Sequence, residues 1–550
     1  MAALTLNKVG KSFGEFMTTC RIEAMARVFI LALIILFGIQ VESKADSKEE
    51  MTEIVQTSSG PIIGMIKDRV RTFLGIPYAV PPVGFLRWKP PVASAMWVKT
   101  RQTVNFSPSC PQPRTESLKR MVRGIDEMDE DCLYLNVWAL TRKENELLPV
   151  MFWIHGGGFY SGSSSEPNYD GHYLARHKKV VLVSANYRLG GFGFLAHPAL
   201  SAESPNGSSG NYGLMDLILA LKWLRNNIRT FGGDPNNITI FGQSAGGVSV
   251  CALMVSPLAK GLFHRAIAQS GGLPSRIRYR NRVLRGLESM ESLGKQLQER
   301  LGLQDESDPL KKMRARSWQE VLQASVPSSK TAGGGTLNHF SVDGHVIPEY
   351  PLKVFREGRQ VNIPFMAGTT ADEGLIFAYT TRMNLENLDR FLRVRYGKKT
   401  QNILNFFKVT DDQSARRAYA DIIGTIGFVR QAKQHAQMMS SIQSDTYLYQ
   451  FSRVTEEGRK RNIGSFHAYE LPYIFHVKPP WTTFDDDDWH LSDKVAGYWT
   501  RFAKTGNPNG SGNVEWPAYK PETDEYMILD LPLRSGQHLS KEVIKFFNNL

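Results

Sequence analysis

Cysteine is scarce, with four residues in 550. That excludes a Cys-based zinc cluster, and no H-E-x-x-H pair supplies the other common zinc ligand set. Neither a metal nor an organic cofactor is expected. Long apolar runs are lacking as well: the stretch from Val28 to Ile39 has twelve residues, too few to cross a bilayer. No stable membrane span is therefore expected. There is no internal repeat and no low-complexity linker. The final residues Phe546 to Leu550 carry neither an ER-retention signal nor a GPI-type tail. The net charge is +13, yet no nucleic-acid motif accompanies it, so most of the excess reads as solvated surface and no nucleic-acid partner is expected.

What is present begins with an export signal. Arg27 precedes the Val28–Ile39 run and suits the charged start of a signal peptide, with small residues at Ser43 and Ala45 as cleavage sites. Residues 1–45 are read as this region, with Met25 as an alternative start and a signal anchor as the alternative fate. The destination is then secreted or periplasmic, where disulfides form. Sequons at Asn105, Asn206, Asn237 and Asn509 matter only in a eukaryotic host. The mature part, 46–550, suggests three domains by simple division. Its motifs are spread from end to end, however, and one large domain explains them better.

The most informative of these motifs is Gly242-Gln243-Ser244-Ala245-Gly246. It follows the β-rich run Ile238–Phe241 and precedes small residues where a helix can begin. In that strand–turn–helix setting, G-x-S-x-G lifts a serine hydroxyl clear of a sheet. Alone it is a weak signal, because serine in a Gly-rich turn is usually only a turn residue. A second motif strengthens it. The buried-looking strand Val150–Ile154 runs into His155-Gly156-Gly157-Gly158, and consecutive glycines present bare N–H groups to a ligand. In α/β-hydrolases such a segment shares an oxyanion hole with the residue after the nucleophile. Here the donors would be Gly157, Gly158 and Ala245.

With these motifs the chain resembles the type-B carboxylesterases, the family of cholinesterases and bacterial para-nitrobenzyl esterases. The matching phrases include Gly75–Ala79 with Pro81–Gly84, Glu130–Trp138, Phe231–Pro235, the serine elbow, and Phe502–Pro508. The resemblance implies an α/β-hydrolase fold: a central, mostly parallel mixed sheet wrapped by helices. It implies a small-molecule ester as substrate and Ser244 as nucleophile. Twelve histidines are available, and chain order leaves eight as the base: His264, His339, His345, His435, His467, His476, His490 and His538. Only His467, in Gly464–Glu470, matches the family phrase. His476, beside Phe475 and Pro479-Pro480, reads as packing. The acid follows the strand Ile363–Gly368, where Asp372 and Glu373 stand side by side; the family's acid is the glutamate before glycine, Glu373. Asp372 then reads as a cap on nearby N–H groups. The family also pairs the loop cysteine Cys132 with one upstream, here Cys110, and the arginine after Pro-Pro-Val-Gly, Arg87, with Glu130. Cys251 reads as a buried thiol.

Other features are less diagnostic. Leu284, Leu287, Met290, Leu293, Leu297 and Leu301 recur at helical spacing and predict one amphipathic helix. Arg276, Arg278, Arg280, Arg282 and Arg285 form a basic cluster, read as a solvated face or, alternatively, as a field at the catalytic rim. A choline ester is not the expected substrate, since no tryptophan lies between Cys110 and Cys132 to hold the cation. The alternatives to an esterase are a lipase, thioesterase or amidase on the same machinery, or a non-catalytic binding relative. The oligomeric state is not legible.

Overall fold

A computed structural model describes residues 50–114, 127–141, 146–284, 286–326 and 337–550. The stretch 1–45 read as a signal region, with Cys20, and Arg285 lie outside the described residues.

The architecture follows from strands buried on both faces. Among the described residues twelve strands form one sheet. In chain order they are β1 (Glu50–Met51), β2 (Met65–Lys67), β3 (Val70–Pro77), β4 (Tyr134–Leu140), β5 (Leu148–Ile154) and β6 (Val181–Ala185). Then come β7 (Gly233–Gln243), β8 (Arg265–Gln269), β9 (Phe365–Thr370), β10 (Thr446–Phe451), β11 (Glu525–Leu529) and β12 (Arg534–Gln537). The spatial order is β1-β2-β3-β4-β6-β5-β7-β8-β9-β10-β11-β12. From β6 to β11 every neighbour is parallel, and the strands outside that run pair antiparallel.

Every residue of β5 and β6 is buried, as parallel strands covered by helices on both faces must be. Side-chain alternation then divides the core. Val150, Phe152 and Ile154 of β5 point into one apolar cluster, while Met151 and Trp153 point into the other. Helix α1 (Tyr212–Asn227) and helix α2 (Ala245–Leu253) contribute to the first cluster, and helix α3 (Asp486–Thr505) covers the second. The ends of α3 are written locally. Asp485 and Asp488 cap its first turn reciprocally, three aspartates sit at its positive end, and Gly506 closes it in the left-handed conformation.

The long leucine-rich helix does not form as expected. The helix there runs only Met290–Arg300, capped by the Ser289 hydroxyl. Leu284 and Leu287 instead pair with each other across a tight turn containing Gly286, whose φ is +72°. A periodic apolar pattern continued across a turn residue and a cap, and both override periodicity.

Cys110 and Cys132 form a disulfide, 22 positions apart, a loop worth about 3 kcal/mol by chain entropy. Cys251 is a buried free thiol whose ionisation is pushed well above its ordinary range by burial. Arg87 and Glu130 make the expected pair, a two-pronged contact with Nε–Oε1 at 2.7 Å and Nη2–Oε2 at 2.5 Å, nearly excluded from solvent. No described helix is long and apolar enough to cross a membrane.

Candidate active site

The end of β7 presents Ser244. Its backbone is forced to φ 58°, ψ −123°, a conformation that a residue with a Cβ rarely adopts. The surroundings hold it there. The Ser244 N–H donates to the Gln269 carbonyl at 2.8 Å, and the Ser244 carbonyl accepts from Val248 N–H at 2.9 Å. The turn also closes because Gly246 has no side chain: a Cβ there would sit 2.0 Å from the Ile154 carbonyl oxygen. Strand β5 and helix α2 approach this closely here because that residue is glycine.

The same strand β5 delivers the glycine loop. Gly157 (φ 101°) is a conformation that only glycine adopts readily. Its carbonyl turns away to accept from the Ser161 N–H at 2.9 Å, and the Gly158 carbonyl accepts from the Asn338 amide at 3.1 Å. No hydrogen bond within the described residues uses the Gly157 or Gly158 N–H. Ala245 is the first residue of α2, where an N–H has no partner within the helix. His155 braces the loop from beneath. It stacks on Tyr187 at 4.5 Å, its Nδ1–H donates to the Gly156 carbonyl, and burial lowers its pKa to about 4.

Glu373 and His467 come from the loops after β9 and β10. The Glu373 carboxylate is buried and fully engaged. Its Oε1 accepts from Ser270 Oγ at 2.5 Å and from the Thr370 N–H at 2.8 Å. Its Oε2 lies 2.5 Å from His467 Nδ1. Asp372 ties the two loops together: it accepts from the Ser465 N–H at 3.0 Å and pairs with Arg417 at 2.8 Å. Phe377 and Phe428 flank the imidazole at 5.4 and 4.7 Å.

Ser244, His467, Gly157 and Gly158 all line one cavity of about 320 Å³. Among the described residues no hydrogen bond joins Ser244 Oγ directly to His467. The His467 Nε2 instead accepts from the side-chain amide of Gln243 at 3.2 Å, Nδ1–H being directed at Glu373. A hydrogen bond between a nucleophile and its base commonly tightens only as substrate binds.

Three buried groups here were not singled out from sequence. Gln243 sits inside the serine motif, at the position the motif leaves open. Glu166 lines the cavity and is pushed up to about 8, chiefly by burial, against the opposing hydrogen bonds of Ser163 and Tyr169. Glu470 is pushed up to about 7, by burial first and then by the charge of Glu373; its Oε1 accepts from Gln269 at 3.4 Å. Glu470 belongs to the phrase that singled out His467, so its proximity to His467 was the available signal. For Glu166 there was none, because its unusual ionisation comes from burial.

Other candidates lie elsewhere. His476 stacks on Tyr173 at 3.6 Å, bonds Ser492 at 2.8 Å, and is lowered to about 4 by burial. None of the described members of the basic cluster lines the cavity holding Ser244. Arg276 lines a separate cavity of about 180 Å³ with Tyr279, Tyr350 and Lys353. Arg278 donates to the Glu288 carbonyl, Arg280 pairs with Glu291, and Arg282 lies over the Tyr279 ring. Among the described residues no group of His, Cys, Asp and Glu is arranged to hold a metal ion.

Comparison with known proteins bears on this geometry. A model described as "Carboxylesterase family" matches residues 51–547. The fumonisin B1 esterase of Sphingopyxis macrogoltabida is 34% identical over 531 residues, covering 94% of this chain and 94% of that protein. The para-nitrobenzyl esterase of Bacillus subtilis (strain 168) is 36% identical over 489 residues, covering 87% and 95%. Liver carboxylesterase 1F of Rattus norvegicus is 30% identical over 543 residues, covering 90% of this chain and 93% of that protein. A solved PNB esterase superposes with a TM-score of 0.75 at 34% identity, covering 90% of this chain and 99% of that one. The sheet and its helices are the α/β-hydrolase fold.

Proposed function

Because this chain belongs to the carboxylesterase family, and is a serine hydrolase acting on carboxylic esters, we propose that Ser244, His467 and Glu373 are its catalytic triad. One observation carries the reading. A serine on a strained elbow, a histidine bonded to a buried glutamate, and glycine N–H groups without acceptors among the described residues meet at one cavity of about 320 Å³. In this mechanism Ser244 Oγ attacks the ester carbonyl while His467 Nε2 takes its proton. The Gln243 amide now bonded to that nitrogen turns aside to let the proton arrive. Glu373 holds the proton on Nδ1 and stabilises the imidazolium.

The N–H groups of Gly157, Gly158 and Ala245 receive the developing oxyanion, and each such donor is worth about 3 kcal/mol. His467 returns its proton to the alcohol as the acyl–Ser244 ester forms. Water, deprotonated by the same histidine, then releases the acid. The buried Cys110–Cys132 disulfide and the Arg27-led apolar run support an exported protein with the signal region removed. Sequencing the N-terminus of the mature protein tests export. For the triad, Ser244→Ala should lower kcat on a short aryl ester by roughly 10⁴-fold or more. Substantial turnover by a folded Ser244→Ala protein would end the assignment.

A further inference from the structure

The cavity holding Ser244 adjoins a second one, because Asn168 and Trp481 line both. The second is the larger, about 600 Å³ against about 320 Å³. Nothing in the chemistry proposed for Ser244 uses this second space.

Its charges are unevenly committed. Arg461 donates to the Trp481 carbonyl at 2.6 Å and stands 3.2 Å from Glu457 Oε1. Glu457 in turn accepts the Thr483 N–H at 2.9 Å. This pair is structural: it fixes the backbone of the segment that carries Trp481. One cation is left over. Lys478 lines the cavity, is exposed, and makes no ion pair among the described residues. A chamber whose other charges cancel, with a single surplus ammonium, complements one anionic group.

The Trp481 ring, which borders both chambers, is held by aromatic packing against Phe466 and Tyr469. The Trp481 ring sits edge-on to Phe466 at 5.5 Å. Its indole N–H is buried with no hydrogen-bond partner among the described residues, whereas a buried polar group is normally satisfied. Its main chain is anchored through Arg461, but no polar contact fixes the ring.

We propose that the second cavity is a subsite for the far end of one arm of the ester, and that Lys478 selects arms ending in a carboxylate. The inference deepens the catalytic reading of the Ser244 cavity and rests on it. Lys478 draws the anionic end past Trp481, while the scissile carbonyl sits at Ser244. Because the ammonium is exposed, the preference it confers is modest, about two- to fivefold in kcat/KM, and is screened as the Debye length falls from about 30 Å at 0.01 M salt to about 8 Å at 0.15 M.

The test uses aryl and alkyl esters of graded arm length, each ending in a carboxylate or in a carboxamide of equal size, with the end group on the acyl or on the alcohol side. At low salt, the carboxylate should be preferred on one side, and only beyond a minimum arm length. Lys478→Gln should bring that ratio to about one, Lys478→Glu should invert it, and added salt should erase it in the unmodified enzyme. Thr483→Trp, which narrows the chamber, should lower kcat/KM for long arms relative to short ones. A ratio of one at every length in the unmodified enzyme, or a preference that survives Lys478→Glu, overturns the subsite. Failure of the catalytic reading looks different: no ester of either kind would be turned over.

Discussion

Replacing Glu373 by glutamine tests the site through a single proton. In the folded protein Oε1 of Glu373 accepts from Ser270 Oγ at 2.5 Å and from the Thr370 N–H at 2.8 Å, and Oε2 faces His467 Nδ1 at 2.5 Å. A glutamine has one oxygen for these three donors. Two of them sit on the Oε1 side, so the amide oxygen is retained there and the NH₂ turns toward Nδ1. The imidazole must then present a lone pair at Nδ1 and carry its proton on Nε2. In that tautomer it cannot take the proton of Ser244. The side chain keeps its size and its buried contacts, so the protein should fold while kcat for a para-nitrophenyl ester falls by roughly 10³- to 10⁴-fold, the scale of a wrong-tautomer histidine.

Asp372→Asn is the internal control. An amide oxygen can still accept from the Ser465 N–H, and only the ion pair to Arg417, itself more than half exposed, is lost. That contact is worth about 0.2–1 kcal/mol, and turnover should change by no more than a few-fold. Equal losses in the two variants, with circular dichroism unchanged in both, would refute the argument. So would Glu373→Gln retaining more than about a tenth of the activity, because the tautomer logic allows no such remainder.

Two further outcomes are expected. Glu130→Gln should lower unfolding free energy by about 3 kcal/mol, at the lower end for a broken buried pair, since Arg87 keeps the Arg316 carbonyl at 2.7 Å; urea titration showing a loss below about 1 kcal/mol would contradict it. Glu166 stays protonated in the folded state up to about 8, against 4.5 for an ordinary glutamate, so its contribution to stability is complete below that lower value and declines as pH rises toward the higher. At about 1.4 kcal/mol per pH unit this decline is at most about 5 kcal/mol, and Glu166→Gln should flatten the urea midpoint across that window, with Glu470, raised to about 7, supplying what slope remains; parallel pH profiles for the two proteins would sink the idea.

Which parts of this molecule were legible beforehand depends on how far apart the constraining atoms lie in the chain. The serine elbow is local: strand, turn and helix start fall within a few residues, and Gly246 is required by an approach to Ile154 that any such turn must make. The strands β5 and β6 were readable for a related reason, since a run of apolar residues buried on both faces leaves no other role. The Glu373–His467 pair is not local. Its members are 94 positions apart, and chain order alone left eight histidines open, so a family phrase rather than a physical signal chose between them. Where the local rules competed, periodicity misled: the leucine pattern ran through Gly286 and the Ser289 cap, and the chain obeyed the turn and the cap.

The least legible features are those created by burial or by meeting segments. Glu166 is an ordinary glutamate in the sequence, and it is burial in the fold that pushes its pKa up to about 8. The second cavity is assembled from residues 167–168, 457–461 and 478–483, none of which carries a motif. The basic run from Arg276 to Arg282 shows the converse. It was conspicuous in the sequence, yet Arg278, Arg280 and Arg282 are occupied by Glu288, Glu291 and Tyr279, and Arg276 lines a different cavity from Ser244. Counting charges along a chain therefore says little about which of them a substrate meets. Where a charge stands relative to a cavity wall, as Lys478 does, bears on that question more directly than four arginines at alternate positions along the chain.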